Sequence, residues 1–121
     1  ELDRPMDWEY CFRCRTRVPM FDDAEFEIFR QEFDRRALEL LVLLQQYGDA
    51  KLAERYATRE EAYQTVVDLH ERITGVRLDS PDAIMHHRRS EFGPRCHACQ
   101  KPLRTPRARH CAACGTWRGA V

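Results

Sequence analysis

Residues 95–115, "RCHACQKPLRTPRARHCAACG", hold four of the six cysteines in the chain and almost no apolar surface. Leu103 is the one large aliphatic side chain of this stretch, which carries five basic residues and no acidic residue. A segment of this composition cannot bury enough apolar surface to compensate for the loss of chain entropy. We therefore expect something other than a hydrophobic core to hold it.

The four cysteines follow the spacing C-x2-C-x11-C-x2-C, which is typical of a structural zinc site. Two residues between cysteines allow a tight turn to aim both sulfurs at one ion, and Gly115 suits the backbone of such a turn. Zinc supplies about 10–16 kcal/mol of apparent folding free energy at comparable sites. A redox dithiol and two disulfides are the alternatives. The predicted ligands are Cys96, Cys99, Cys111 and Cys114.

Cys11 and Cys14 form a third C-x-x-C pair, but two cysteines do not complete a metal site. His86 or His87, or both, could close it to give two thiolates and one or two imidazoles. A reduced pair beside solvated histidines, or an exchange with the pair that ends at Cys114, would fit the spacing equally well. The cofactor prediction is therefore one Zn²⁺, or two if this second site forms.

All six cysteines lie in C-x-x-C pairs, whereas disulfide frameworks usually spread their cysteines along the chain. Paired thiols with no visible export signal favour metal thiolates in a reducing compartment. The longest apolar run, Leu40 to Leu44, falls far short of the roughly 18 residues that span a bilayer. We expect a cytoplasmic protein with no membrane partner.

The centre of the chain carries a helical pattern. Asp22 is a candidate N-cap for a first helix, with Glu25 completing a capping box, and Gly48 is a candidate C-cap. A short helical piece is predicted over Ala50 to Tyr56. The predicted apolar face, which should bury the C-terminal half of the helix on more than one side, comprises Phe26, Phe29, Phe33, Ala37, Leu40, Leu41 and Leu44, widened by Leu38, Val42 and Leu43.

A second helix is predicted from the capping box of Thr58 and Glu61 to Gly75, with His70 packed on its inner face. Ser80 should cap a third, short helix. The predicted fold is mainly α: two long helices and a short one, an N-terminal C-x-x-C knuckle in an irregular first segment, and a C-terminal four-cysteine zinc ribbon. The expected divisions are 1–20, 21–93 and 94–121.

The net charge of zero is a cancellation, because residues 1–72 carry a net charge of −6 and residues 73–121 a net charge of +6. Such a dipolar chain can present charge of one sign to a partner. The motifs H-E-x-x-H, G-x-S-x-G and G-x-x-x-x-G-K-[ST] are absent, and the zinc deaminase pattern fails at Pro94, which Arg95 separates from Cys96. We expect a protein that is not an enzyme.

The stretches "YCFRCRTRVPMFDDAEF" and "HHRRSEFGPRCHACQKPLRTPRARHCAACG" resemble a group of short bacterial zinc-ribbon proteins. These share the N-terminal C-x-x-C, a histidine pair before G-P-x-C, and a "C-x-x-C-x-K-P-L-R-T-P-x-A-x-x-C-x-x-C" ribbon. The resemblance covers both ends of the chain and supports Cys11, Cys14, His86 and His87 as a candidate site. Some such proteins accompany polymorphic toxins, which implies an immunity role.

Two functions therefore stand as expectations. The first is a zinc-stabilised protein-binding module, most concretely an immunity protein or antitoxin that neutralises a toxin domain by binding it. Its predicted contact residues are Asp22, Asp23, Glu25, Glu27 and Glu32. The alternative is a regulatory nucleic-acid-binding zinc ribbon that uses the basic loop between its knuckles. The predicted contact residues of this alternative are Arg95, Lys101, Arg104, Arg107 and Arg109.

Overall fold

The computed structural model describes residues 5–119, which divide into two units. Glu25–Ile84 form one, called here the helical unit; residues 5–24 and 85–119 form the other, called the cysteine unit because all six cysteines belong to it. The predicted division into segments 1–20, 21–93 and 94–121 stays a prediction, and its residues 1–4 and 120–121 lie outside the described residues.

Roughly half of the residues are helical, which confirms the mainly helical class in outline. Among the helices of residues 5–119, none combines the length and the apolar composition that a bilayer crossing requires. The elements in chain order are strands β1 (Asp7–Cys11) and β2 (Thr16–Met20), helices α1 (Asp23–Arg55), α2 (Arg59–Ala62) and α3 (Gln64–Thr74), and two 3-10 segments (Pro81–His86 and Arg89–Glu91).

Helix α1 begins at Asp23, directly after the predicted N-cap, and it is interrupted at Gly48. The backbone of Gly48 has φ 78° and ψ 175°, which is not helical, so the helix stops there and a second helical stretch continues to Arg55. The predicted stop at Gly48 and the short helical piece after it are both confirmed. A glycine at this position ends the first stretch without a side-chain clash.

The second predicted helix forms as two pieces. Thr58 caps α2 by accepting a hydrogen bond from the Glu61 backbone N–H at 3.1 Å, as the capping box predicts. The Glu61 carboxylate accepts a hydrogen bond from the N–H of Ala57, whereas a capping box would use the N–H of Thr58. Tyr63, with φ −105° and ψ 24°, then separates α2 from α3. The third predicted helix is a 3-10 segment whose first turn is capped by Ser80.

The core of the helical unit lies between the first half of α1 and α3. The rings of Phe29 and His70 lie 5.8 Å apart, and those of Phe33 and Tyr63 lie 5.6 Å apart. Phe33 follows Phe29 in α1, whereas Tyr63, directly before α3, precedes His70, so the two helices run antiparallel. The buried side chains of this core are Phe26, Phe29, Val66, Val67, His70, Leu78 and Ile84.

The second half of α1 differs from the prediction. Leu38, Leu41 and Val42 are 63%, 48% and 45% exposed, so this part of the helix is not buried on more than one side. Leu41 and Val42 follow Leu38 by three and four residues, so the three side chains lie on one face of α1. The opposite face meets α2, where Arg36 donates from Nε to the carbonyl of Ala62 at 2.7 Å.

His70 is fully buried, as predicted, and its Nδ1–H donates to the carbonyl of Val76 at 2.9 Å. Burial lowers the pKa of His70 from its ordinary value of 6.5, more than the bond to Val76 raises it. Since the folded-state pKa lies below the unfolded one, the stability that neutral His70 provides is fully present above pH 6.5 and is lost as the pH falls below that value.

We therefore expect the urea midpoint of the helical unit to be lower at pH 5.5 than at pH 7.5, as measured by circular dichroism. His70→Gln should weaken this pH dependence, because glutamine does not titrate. Any effect of acid on metal binding is common to both proteins, so the difference between their slopes isolates His70. Equal slopes for the two proteins would contradict the burial argument.

In the cysteine unit, the first segment is not irregular: β1 and β2 pair antiparallel, with Tyr10 opposite Arg17 and Cys11 opposite Thr16. Side chains of β1 alternate, so that Glu9 and Cys11 are buried while Trp8 is 37% exposed. The hairpin places Cys11 at the end of one strand and Cys14 in the turn that follows. The irregular first segment predicted from the sequence is therefore wrong.

Residues 94–119 contain isolated bridges rather than strands, pairing Arg95 with Pro102 and His110 with Trp117. Gly93 packs directly against this segment, donating its N–H to the carbonyl of Leu103 at 2.7 Å. A Cβ added at Gly93 would lie 2.8 Å from Leu103 Cβ and closer still to the carbonyl oxygen of Thr105. Only glycine fits this close approach of two backbones.

We expect Gly93→Ala to destabilise the cysteine unit by about 1–3 kcal/mol, because residues 103–105 would have to move. Gly115→Ala is the matched comparison: its φ of 78° is strained for alanine, but open space surrounds the added Cβ. Its cost should be about 1 kcal/mol. Competition with a metal chelator measures how far each variant loses metal affinity, and this loss ranks the two variants. A smaller loss for Gly93→Ala than for Gly115→Ala would contradict the steric account.

Candidate metal centres

The first centre brings together Cys11, Cys14, His86 and His87, whose ligand atoms all lie within 4.8 Å of one another. Cys11 Sγ lies 3.4 Å from His86 Nδ1, and Cys14 Sγ lies 3.2 Å from His87 Nε2. The distance from Cys14 Sγ to His86 Nδ1 is 4.0 Å. The two cysteines and two histidines that the sequence left as an open possibility therefore converge on one point.

Backbone pairing positions the two histidines against the end of the hairpin. Phe21 donates its N–H to the carbonyl of His87 at 2.9 Å, and Arg89 donates to the carbonyl of Phe21 at 2.8 Å. This short parallel bridge fixes the chain around His87, whose side chain is fully buried. His86 closes the preceding 3-10 segment, and its ring meets that of His87 edge to face at 4.9 Å.

The second centre consists of the four cysteines of the C-terminal segment, again within 4.8 Å of one another. The sulfurs of Cys96 and Cys114 lie 3.7 Å apart, and those of Cys99 and Cys111 lie 3.5 Å apart. This is the grouping that the C-x2-C-x11-C-x2-C spacing predicts. The exchange of pairs between the two centres, which spacing alone left open, does not occur.

All three C-x-x-C pairs share one backbone geometry. The residue after the second cysteine has a positive φ: 59° at Arg15, 67° at Gln100 and 78° at Gly115. Each of these residues also donates its N–H to the carbonyl of the first cysteine of its pair, at 2.7, 2.9 and 2.8 Å respectively. The left-handed residue closes a tight turn that aims both sulfurs to one side. Gly115 is the position where the sequence indicated this turn.

Ligand separations in both centres fit a tetrahedral ion. Zn–S bonds of about 2.3 Å and Zn–N bonds of about 2.0–2.1 Å place two sulfurs about 3.8 Å apart, and a sulfur and a nitrogen about 3.5–3.6 Å apart. The observed separations scatter around these values. A disulfide would need sulfurs about 2.05 Å apart, and none of the six cysteines is disulfide-bonded. Both donor sets therefore fit a metal ion.

The local environment favours the ligand forms that a metal requires. The Thr116 hydroxyl, 3.2 Å from Cys114 Sγ, lowers the pKa of Cys114 to about 6 and so favours its thiolate. Burial, assisted by the charge of Arg13, lowers the pKa of His86 and favours its neutral imidazole. At Cys99, the Lys101 backbone N–H lowers the pKa, but burial and the neighbouring thiols raise it to about 11. A bound cation would relieve this crowding of thiols.

The carboxylates predicted to bind a partner are already engaged within the protein. Asp23 accepts from Arg88 and Ser90, which lower the pKa of Asp23, and Glu25 is buried. Arg30 holds Glu27, while Arg35 holds Glu32 at 2.9 Å and lowers its pKa. Asp22 is exposed. The acidic contact surface therefore stays a prediction, one that internal ion pairs weaken.

The predicted basic residues fall into two groups. Arg95 lies 3.0 Å from the buried carboxylate of Glu9, and Lys101 Nζ lies 4.1 Å from the centre of the Tyr10 ring. The loop between the knuckles carries the second group, all exposed. Within residues 5–119 this second group forms no ion pair, and its members are Arg104, Arg107 and Arg109.

Sequence reasoning missed the aromatic residues that the hairpin and the second knuckle expose. Trp8 is 37% and Trp117 is 48% exposed, and the ring of Trp117 lies 4.9 Å from that of His110. It also missed Glu9, a buried carboxylate held by Arg95. The alternation of Trp8, Glu9, Tyr10 and Cys11 was the available signal, because a period of two indicates a strand with one buried face.

We compared the chain with protein-family models, with curated proteins and with solved structures, and none of the three comparisons finds a match. The resemblance to short zinc-ribbon proteins therefore rests on the motifs themselves. What can be stated of the protein is a mainly helical chain with two candidate metal centres, one of two cysteines and two histidines and one of four cysteines.

Proposed function

We propose that the chain is a non-catalytic protein-binding module whose two centres hold structural Zn²⁺ ions. Four protein ligands complete a tetrahedral shell in each centre and leave no position for a substrate or a water molecule, which supports a structural role. Thiolate and imidazole ligands suit zinc, and the C-terminal segment would then be held as a zinc ribbon. Because these thiols must stay reduced, the proposed location is the cytoplasm.

The observation that carries the binding function is the outer stripe of α1, formed by Leu38, Leu41 and Val42. Three neighbouring aliphatic side chains on the outer face of one helix, each close to or above half exposed, are a typical contact surface for another protein. Gln31, Asp34 and Gln45 flank the stripe at helical spacing and give it a polar rim.

The charge of the helical unit indicates which partner would fit. Residues 25–84 contain 13 acidic and 8 basic side chains, a net charge of −5. An acidic surface around an apolar stripe is complementary to a basic protein surface with an apolar centre, and opposite charge speeds the encounter of such partners. We therefore propose a basic protein as the occupant rather than the same stripe of a second copy, because two helical units of net charge −5 would repel each other.

The most specific form of this proposal is an immunity protein that blocks a toxin domain by occluding its active surface. Its support is the resemblance of both chain ends to a group of proteins of which some accompany polymorphic toxins, together with the exposed stripe and closed metal centres. The proposed contact surface is the stripe and not the carboxylates of Glu27 and Glu32, because arginines already bind these carboxylates.

The test uses the full-length, metal-loaded protein and a toxin domain encoded next to it. Leu38→Glu combined with Leu41→Glu should abolish co-purification of the partner, while Ala53→Glu, an exposed position of α1 beyond Gly48, should not. Circular dichroism and metal content confirm that the variants fold. Retention of the partner by the double variant would contradict the proposed surface. A homodimer that the double variant dissociates would contradict the proposed occupant.

The immunity role has a separate readout. Co-expression of the chain should protect cells from the toxin, and a stoichiometric amount of purified chain should inhibit the toxin domain in solution. Binding without inhibition would contradict the immunity role while leaving the binding surface in place.

A further inference from the structure

The exposed face of the β1–β2 hairpin carries aromatic rings beside cations. Tyr10 follows Trp8 by two residues, so both lie on the face of β1 opposite to buried Glu9. Phe12 packs edge to face on Tyr10, with ring centres 5.1 Å apart and planes at 81°. The chain has two tryptophans, both in the cysteine unit and both exposed, which is an unusual position for a side chain of this size.

A cleft of about 370 Å³ is lined by one of these rings, that of Tyr10. Lys101 Nζ lies 4.1 Å from the centre of the Tyr10 ring, and Arg17 donates to the carbonyl of Trp8 at 3.0 Å. The one carboxylate of the cleft, Glu9, is neutralised by Arg95 at 3.0 Å. The cleft therefore combines aromatic surface with positive charge. Its lining residues are Glu9, Tyr10, Arg17, Arg95, Cys99, Gln100 and Lys101.

The arginines of the cysteine unit also differ from those of the helical unit in how they are used. In the helical unit, Arg30, Arg35 and Arg77 are all held by carboxylates. In the loop between the knuckles, three exposed arginines form no ion pair within residues 5–119. These are Arg104, Arg107 and Arg109.

The excess of positive charge survives metal binding. Residues 5–24 and 85–119 contain 11 basic and 5 acidic side chains, a net charge of +6. A Zn²⁺ ion with four thiolates carries a formal charge of −2, and one with two thiolates and two imidazoles carries none. The loaded unit would therefore keep a net charge of about +4. A surface of this charge with exposed aromatic rings is suited to a polyanion that also carries planar rings able to stack on them.

We infer that the cysteine unit binds single-stranded nucleic acid, with a base stacked on Trp8 and phosphates at Arg17, Lys101 and the basic loop. Stacking on aromatic side chains beside a basic groove is how proteins bind single strands with little sequence preference. A duplex hides its base faces, and the unit has no complete α-helix that could enter a major groove. An acidic protein would use the charges but not the rings. This inference goes beyond the proposed function of the helical unit and does not depend on it.

The first experiment uses Trp117→Phe, which leaves Trp8 as the only tryptophan of the metal-loaded full chain. Addition of a 20-nucleotide dT or U strand should quench Trp8 fluorescence and shield it from acrylamide, because a stacked base covers the ring. The DNA and RNA strands show which source of single strand is preferred. A 20-base-pair duplex should quench much less, and an acidic peptide of equal charge should not quench.

The second experiment measures binding of the labelled strand by fluorescence anisotropy between 50 and 200 mM salt. Trp8→Ala should weaken binding about 5- to 150-fold through the loss of one stacked base. Replacing Arg104, Arg107 and Arg109 together by glutamine should make the slope of log affinity against log salt shallower by about 2. Each lost phosphate contact accounts for about 0.7 of this change. Arg77→Gln, a change in the helical unit, is the matched control and should alter neither.

Metal content is measured for each variant, so that a loss of binding is not a loss of folding. The inference is overturned if the loaded protein does not bind either strand at 50 mM salt, or if Trp8→Ala binds as tightly as the unaltered protein. Preference for the duplex or for the acidic peptide would overturn it as well. Failure here leaves the stripe on α1 and its partner untouched, because that surface is tested with different variants.

Discussion

Chelation of the bound metal ions is expected to unfold the cysteine unit while α1 and α3 stay helical. The part of the cysteine unit around the four-cysteine centre has little apolar core besides its ligands, since the buried side chains there are those of Cys96, Leu103 and Cys111. The hairpin half buries Val18, Met20 and Phe21 as well as Cys11. Structural zinc contributes about 10–16 kcal/mol of apparent folding free energy, far more than so small a core provides. The helical unit has a core of its own around Phe29.

The measurement is limited proteolysis with and without a strong chelator, under reducing conditions, together with circular dichroism at 222 nm. Cleavage should begin in residues 94–119 and in the β1–β2 hairpin, with most of the helical signal retained. Re-addition of Zn²⁺ should restore protection. Unchanged protection of residues 94–119 in the metal-free protein would contradict the account, and so would the complete loss of helical signal.

Phe29→Ala is expected to be the most damaging single change in the helical unit. Phe29 is fully buried and its ring lies 5.8 Å from that of His70, so truncation leaves a cavity between α1 and α3. Removal of a buried phenylalanine ring costs about 3–5 kcal/mol, a large share of the stability of a small domain. Urea denaturation followed by circular dichroism gives the change in the free energy of unfolding.

Leu41→Ala is the matched control, a truncation on the same helix at a side chain that is 48% exposed. Its effect on the free energy of unfolding should stay within about 1 kcal/mol, since surface positions contribute little. A comparable loss at both positions would show that the outer stripe is buried in the native protein. That result would contradict both the core described here and the proposed binding surface.

Local signals in the sequence identified the helix ends well. Gly48, Thr58 and Gly75 each act within one turn of the chain, and the structure stops or caps a helix at each of them. The break at Tyr63 has no comparable signal. It coincides with the packing of Tyr63 on Phe33, a contact between residues thirty positions apart that no local pattern encodes.

The burial of α1 was overestimated because a helix with apolar residues on all sides looks the same in sequence whether its surroundings are protein or solvent. Periodicity shows that Leu38 and Leu41 lie on a face, but not that a partner element covers that face. Within the described chain they remain exposed. Only the structure shows which apolar residues stay exposed, and it is this exposure that points to a contact surface.

The two metal centres were predictable to different degrees, because only one of them has its ligands close together in the sequence. The four-cysteine centre lies within a stretch of 19 residues with a diagnostic spacing, so the sequence alone selects its ligands. The other centre joins Cys11 to His86 across 75 positions, and its geometry depends on the hairpin and on the backbone bridge at Phe21. Spacing could only offer the histidines as candidates.

The most direct test of the central claim is native mass spectrometry of the full chain, purified under reducing conditions, with element analysis of the bound metal. The account predicts two zinc ions per chain, one after Cys96→Ser or Cys11→Ser, and none after both substitutions. Two ions lost together in either single variant would contradict independent centres. A single ion in the unaltered protein, or masses that show disulfides in place of metal, would contradict the claim itself.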